Sequence, residues 1–131
     1  MRPEFLGDSF DIVKRFSCET LRSLGFAVYI DPVFKGGWSG QEVGFYKFLG
    51  VEPYVEAQPS RGLTALFLDP DTGVNEKGGQ AHVSYDRLAA ETKRHALVFS
   101  FDQAFSRAGE ADPKLYAKLN ALAERGCAAF Y

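Results

Sequence analysis

Three apolar runs in this sequence stop at an aspartate: Ile30-Asp31, Leu68-Asp69 and Phe101-Asp102. A carboxylate at the end of a buried strand can accept a hydrogen bond from an amine or hydroxyl, exchange a proton or hold a cation. In open α/β sheets, ligands bind beyond the carboxyl ends of the strands. If the three strands are parallel, their aspartates meet at one rim. The plainer alternative is that each aspartate closes a turn by hydrogen bonding its own backbone. The sharpest segment is Asp69-Pro70-Asp71-Thr72-Gly73, in which two carboxylates and a hydroxyl follow a strand and Gly73 permits an unusual backbone angle. The loop Asn75 to Gln80 is polar enough to act as a lid and equally ordinary as a surface loop.

The other reactive residue types point less clearly. His82 precedes a helix start, and His95 lies between a helix end and a strand, where a structural role is expected. Neither has a serine or cysteine partner in an elbow motif, so triad chemistry lacks a basis. Trp38, beside Gly36 and Gly37, has the shape to stack on a planar ligand but reads better as core packing. Phe45, Tyr46 and Phe48 read as helix packing. Cys18 and Cys127 lack the paired spacing of a zinc site and are expected as two reduced, buried thiols.

The elements that must position these residues alternate in type. A helix is expected from Ser9 to Leu24, with Asp8 as N-cap, Gly25 as terminator and a core face of Ile12, Val13, Phe16, Thr20 and Leu24. Strand Phe26–Ile30 follows. Ser39 and Glu42 then make a capping-box pattern for a helix to Leu49, closed by Gly50. A weak strand over Tyr54–Ala57 and a strong one over Leu63–Leu68 come next, followed by a long polar loop from Asp71 to about Val83. Ser84 caps a helix over Tyr85–Arg94, with Val83 and Leu88 as its hydrophobic staple. Ala96–Phe101 is a strand. Asp112 and Pro113 are N-cap and N1 of a last helix with the core stripe Leu115, Leu119 and Leu122, and Cys127–Tyr131 is a terminal strand. Strands apolar on both faces, alternating with amphipathic helices, predict a single α/β domain over residues 1–131. It would be three-layered and mainly parallel, with helices on both faces, in a reduced Rossmann-like arrangement.

Composition bounds the function. At 131 residues and 46% hydrophobic content the chain can bury a core, and its formal net charge of −2 gives no general attraction to nucleic acid. No run of about 20 apolar residues spans a bilayer, and the first residues lack a signal-peptide pattern, so a cytoplasmic location without membrane contact is the default expectation. An unpaired terminal strand is compatible with a homodimer.

The stretch Gly7-Asp8-Ser9-Phe10-Asp11-Ile12-Val13-Lys14-Arg15 resembles a helix start in bacterial methyltransferases that modify adenine N6 of large-subunit ribosomal RNA. Leu66-Phe67-Leu68-Asp69-Pro70 is similar to the first half of their strand ending in Asp-Pro-Pro-aromatic, and Tyr29-Ile30-Asp31 with Gly36-Gly37 looks like a looser form of their first-strand turn. Asp71 and Thr72 stand where that family has the proline and the aromatic that stacks on a flipped base. Nearly the whole chain also resembles a poorly characterised bacterial family. It joins a Gly-Asp-x-x-Asp-x-x-Lys start to a Phe-x-Asp-Pro-Asp-[Thr/Asn]-Gly motif and implies no activity.

The methyltransferase resemblance implies a shortened class I methyltransferase-like domain that binds or acts on a nucleotide or nucleic acid, with S-adenosylmethionine as cofactor. Its catalytic residues would be Asp69, Asp71 and Lys14. Asp8, Asp11, Asp31, Gly36, Gly37, Thr72 and Asp102 would bind the cofactor. Two alternatives stand beside it. In a Mg²⁺-dependent phosphoesterase or nuclease, Asp8, Asp31, Asp69, Asp71 and Asp102 supply oxygen ligands. Asp69-Pro70-Asp71-Thr72 resembles the Asp-x-Asp motif of haloacid dehalogenase-type phosphatases, with Ser100 as second-motif hydroxyl. In a non-catalytic binding or regulatory domain, the same fold carries no reaction.

Overall fold

The computed structural model describes residues 3–34, 37–56, 62–79, 81–102 and 111–131. Asp8 caps the first helix, α1 (Ser9–Ser23), by accepting the Asp11 amide at 3.0 Å, and Gly25 ends it with φ +89°. The elements after it are β1 (Ala27–Pro32), α2 (Glu42–Leu49), β2 (Glu52–Pro53), β3 (Thr64–Asp69), β4 (Gly73–Asn75), β5 (His82–Ser84), α3 (Tyr85–Glu91), β6 (Leu97–Ser100) and α4 (Ala111–Ala123). Four strands form one parallel sheet in the order β2-β1-β3-β6, with helices on both faces. This is the predicted small Rossmann-like, three-layer architecture.

Both faces of the sheet are apolar because β3 is its centre: all six of its residues are buried. On one face Ile30, Ala65 and Phe67 pack with Cys18 of α1 and with Phe45 and Leu49 of α2. On the other, Leu66 and Leu68 pack with Leu88 of α3 and Leu122 of α4. Trp38 is buried against Phe34 and Phe45, so its ring belongs to the core.

Several expectations are corrected. On α1 the core face is not Ile12, Val13, Phe16, Thr20 and Leu24; Ile12 is 57% exposed and Phe16 69%. The helix is turned to bury Asp11, Lys14 and Cys18 instead. An ionic contact decides this rotation: Lys14 reaches a buried partner on β3, and no apolar contact compensates for leaving that partner unpaired.

The capping box of α2 does not form. Its N-cap is Gln41, without a side-chain cap bond, although Gly50 closes the helix as expected with φ +68°. The weak strand is Glu52–Pro53; of the expected Tyr54–Ala57, Tyr54 donates its amide to Ile30 O at 2.7 Å without joining a strand, and Ala57 lies outside the described residues. The segment expected as a polar loop contains the two short parallel strands β4 and β5. Ser84 does cap α3, accepting the Arg87 amide at 3.1 Å. Asp112 and Pro113 lie inside the first turn of α4, which begins at Ala111. Cys127–Tyr131 is not a strand of the sheet.

The two thiols differ in environment. Cys18 is fully buried, whereas Cys127 is half-buried rather than enclosed. Burial above all, and then the negative charge of Asp69, pushes the Cys18 thiol up to about 12. Since the thiolate is the reactive form, an aromatic disulfide reagent at pH 8 is expected to titrate one thiol quickly in the native protein and two after denaturation. Two rapid equivalents in the native state would contradict the buried position of Cys18.

Candidate functional site

The chain reverses direction across the sheet between β1 and β3: β2 lies on one side of β1, and β3 and β6 lie on the other. In doubly wound sheets this reversal opens a crevice at the carboxyl ends of the two strands. Asp69 is the last residue of β3 at that point, aligned with Pro32 of β1.

Asp69 is 2% exposed and Lys14 is 6% exposed. The Lys14 ammonium donates to Asp69 Oδ2 at 2.9 Å and to Asp11 Oδ1 at 3.2 Å. Asp11 Oδ2 also accepts the Gly7 amide at 3.0 Å, and Asp8 holds the Asp11 backbone. The spacing Asp8-x-x-Asp11-x-x-Lys14 therefore works as a unit. One turn of helix places Asp8 at the cap, and the next places Asp11 and Lys14 side by side facing β3. Phe101 lies under the ammonium at 5.9 Å and packs edge-on against Phe10 at 5.5 Å, covering the cluster with an aromatic pair.

Among the described residues the cluster has two carboxylates and one ammonium. Burial pushes the Asp69 carboxyl above its usual range; Lys14 pulls it back down, and the upward effect prevails. The folded state therefore holds the Asp69 proton to higher pH than the unfolded chain does. This contribution to stability is present at low pH and lost as pH rises through the Asp69 titration.

The other rim aspartates do not join this cluster. Asp31 aligns with Leu68 and Asp69 with Pro32, and successive strand residues point to opposite faces. Asp31 therefore opens on the α3 face, where Arg87 donates to its Oδ2. Asp102 is held on the same side by Lys118 of α4 at 2.5 Å, Tyr131 at 2.9 Å and the Val74 amide at 3.4 Å. Each of the three aspartates has its own cation, so they share a rim without sharing a site.

Asp71 is half-buried and Thr72 exposed in the loop after β3. Thr72 donates to Ala81 O at 2.8 Å and meets His82 Nε2 at 2.9 Å, tying β5 to the loop. Gly37 has φ +98° and lies beside the Pro3 ring. Gly36 is outside the described residues. His95 Nδ1 meets Thr64 Oγ1 at 3.1 Å beneath β3, in the structural role expected of it, and burial lowers its basicity. Among the described residues no three histidine, cysteine or acidic side chains converge as metal ligands, and no helix is long and apolar enough to cross a membrane.

The partners Arg87, Lys118 and Phe101 were not foreseen. Lys118 did leave a signal, since it falls between Leu115, Leu119 and Leu122 on the inward side of α4. A lysine there requires a buried acid.

Fold and site together define a small, doubly wound α/β domain with an ion-paired carboxylate cluster at its switch point. No family model, curated protein or solved structure matches the chain.

Proposed function

We propose that this chain is a shortened class I methyltransferase-like domain that binds a cationic nucleotide ligand, S-adenosylmethionine, in the crevice between β1 and β3. One observation carries the reading: the net-negative cluster of Asp11, Lys14 and Asp69 stands at the point where the strand order reverses. Among the described residues two carboxylates face one ammonium, an excess of negative charge that suits a sulfonium group. The residues present thus fit the ligand's charge.

With the Phe10–Phe101 pair swung aside, Asp69 is the hydrogen-bond acceptor for an attacking amine, and Asp11 joins it in holding the ligand's positive charge. Lys14 favours the carboxylate form of Asp69 and fixes its orientation through Oδ2. When bound, S-adenosylmethionine supplies the transferable methyl group. Asp31, already held by Arg87, and Asp102, held by Lys118, are supports of the opposite face rather than ligand contacts in this reading.

The test is calorimetry with S-adenosylmethionine and its product S-adenosylhomocysteine, which keeps the ammonium and carboxylate but lacks the sulfonium charge. The sulfonium compound is expected to bind more tightly. Its affinity should rise with pH through the Asp69 titration, because the ionised carboxylate is the form that attracts it. Asp69→Asn should weaken binding at least tenfold and flatten the pH dependence. Absence of heat with the unaltered protein, or equal affinity for the two compounds, refutes the reading.

A further inference from the structure

Among the described residues β6 is an edge strand of the main sheet, half-exposed along its whole length, and it borders a cavity of about 540 Å³ lined by Val74, Leu88, Val98, Phe99 and Leu122. The far wall of that cavity is the segment Cys127–Tyr131. The segment is tethered at both ends. At its start the Cys127 amide donates to Leu122 O at 3.0 Å, and the Cys127 thiol lies 3.7 Å from Thr92 Oγ1, just ahead of β6. At its finish Tyr131 donates to Asp102, just beyond β6. The segment therefore runs parallel to β6. Its exposure alternates with a period of two: Cys127 and Ala129 turn towards the core, and Ala128 and Phe130 turn away. That is the pattern of a β-strand, yet the segment makes no ladder with the sheet.

We propose that Cys127–Tyr131 is a strap with a second seat, in which it docks on the outer edge of β6 as a fifth parallel strand and closes the cavity. The unit β6–α4–strap has the order of a strand–helix–strand crossover, the standard way to add a parallel neighbour. Docking pairs the outward amides and carbonyls of β6, which an edge strand otherwise leaves unpaired. The occupant is this chain's own segment because both tethers already hold it alongside β6, which gives it a local concentration no second copy matches.

Amide hydrogen exchange on the full chain tests this. In a docked strand, successive backbone amides point alternately towards and away from the neighbour, so only one of Ala128→Pro and Ala129→Pro removes a donor aimed at β6. The outward amides of β6 are expected to exchange at least ten times more slowly in the unaltered protein than in that one variant. The other variant should retain the protection. If those amides exchange in the unaltered protein at the rate of an unstructured peptide, or if both variants retain protection, the proposal is overturned. Protection that disappears on dilution also overturns it, because a second copy would then supply the strand.

Discussion

Lys14→Met is expected to destabilise the protein by about 3–5 kcal/mol, the cost of removing one partner from a buried ionic cluster. The loss goes beyond a single contact. Among the described residues Lys14 is the one cation bonded to both Asp11 and Asp69, which are 3% and 2% exposed. Without it two carboxylates face each other away from water. Two secondary results distinguish this cause from lost packing. The deficit should shrink as pH is lowered, because protonating Asp69 removes one uncompensated charge. Adding Asp69→Asn to Lys14→Met should restore part of the loss, because Asp11 alone still keeps the Gly7 amide. Urea unfolding at several pH values measures both. A pH-independent deficit, or a double variant worse than the single, would mean that Lys14 acts as a space-filling chain and not as a charge.

Phe67→Ala should cost a similar amount, about 3–5 kcal/mol, through a cavity at the centre of the sheet. Phe67 is 1% exposed on the central strand, stacked on Phe99 with ring centroids 4.6 Å apart and planes 8° from parallel. It also touches the cluster formed with Cys18, Ile30 and Phe45. Against a total stability of about 5–15 kcal/mol for a domain of this kind, the loss brings the variant close to unfolding at physiological temperature. The melting temperature should fall by roughly 10 °C or more. Phe67→Leu keeps most of the volume and should lose less than half as much. A small effect of Phe67→Ala would place the stabilising core elsewhere.

The parts of the fold that follow from local rules were readable in the residues. Asp8 and Ser84 announced their helices because a side-chain acceptor at an N-cap needs only the next turn. The buried strands stood out because a central parallel strand must be apolar on both sides, as Ala65–Leu68 is. Two kinds of feature were not readable. The rotation of α1 depends on a charge on another element, so a stripe of Ile12, Val13, Phe16 and Leu24 pointed outward despite its helical spacing. The fate of the rim aspartates depends on register. A one-residue difference in alignment sends Asp31 and Asp69 to opposite faces, and the cations that claim them, Arg87 and Lys14, come from distant helices. The motif Asp8-x-x-Asp11-x-x-Lys14 was visible as a helix start. Its meaning, a clamp on the end of β3, required the fold.

The ionisation of the Asp69 side chain, followed by carboxyl-carbon NMR with Asp69→Asn as the assignment control, probes the proposed site itself. The free protein should show the Asp69 carboxyl titrating above the usual aspartate range, and saturating S-adenosylmethionine should bring it down as a positive group joins Lys14 beside it. An Asp69 that titrates like an exposed aspartate, or that ignores the added compound, would contradict the proposed site at the β1–β3 reversal.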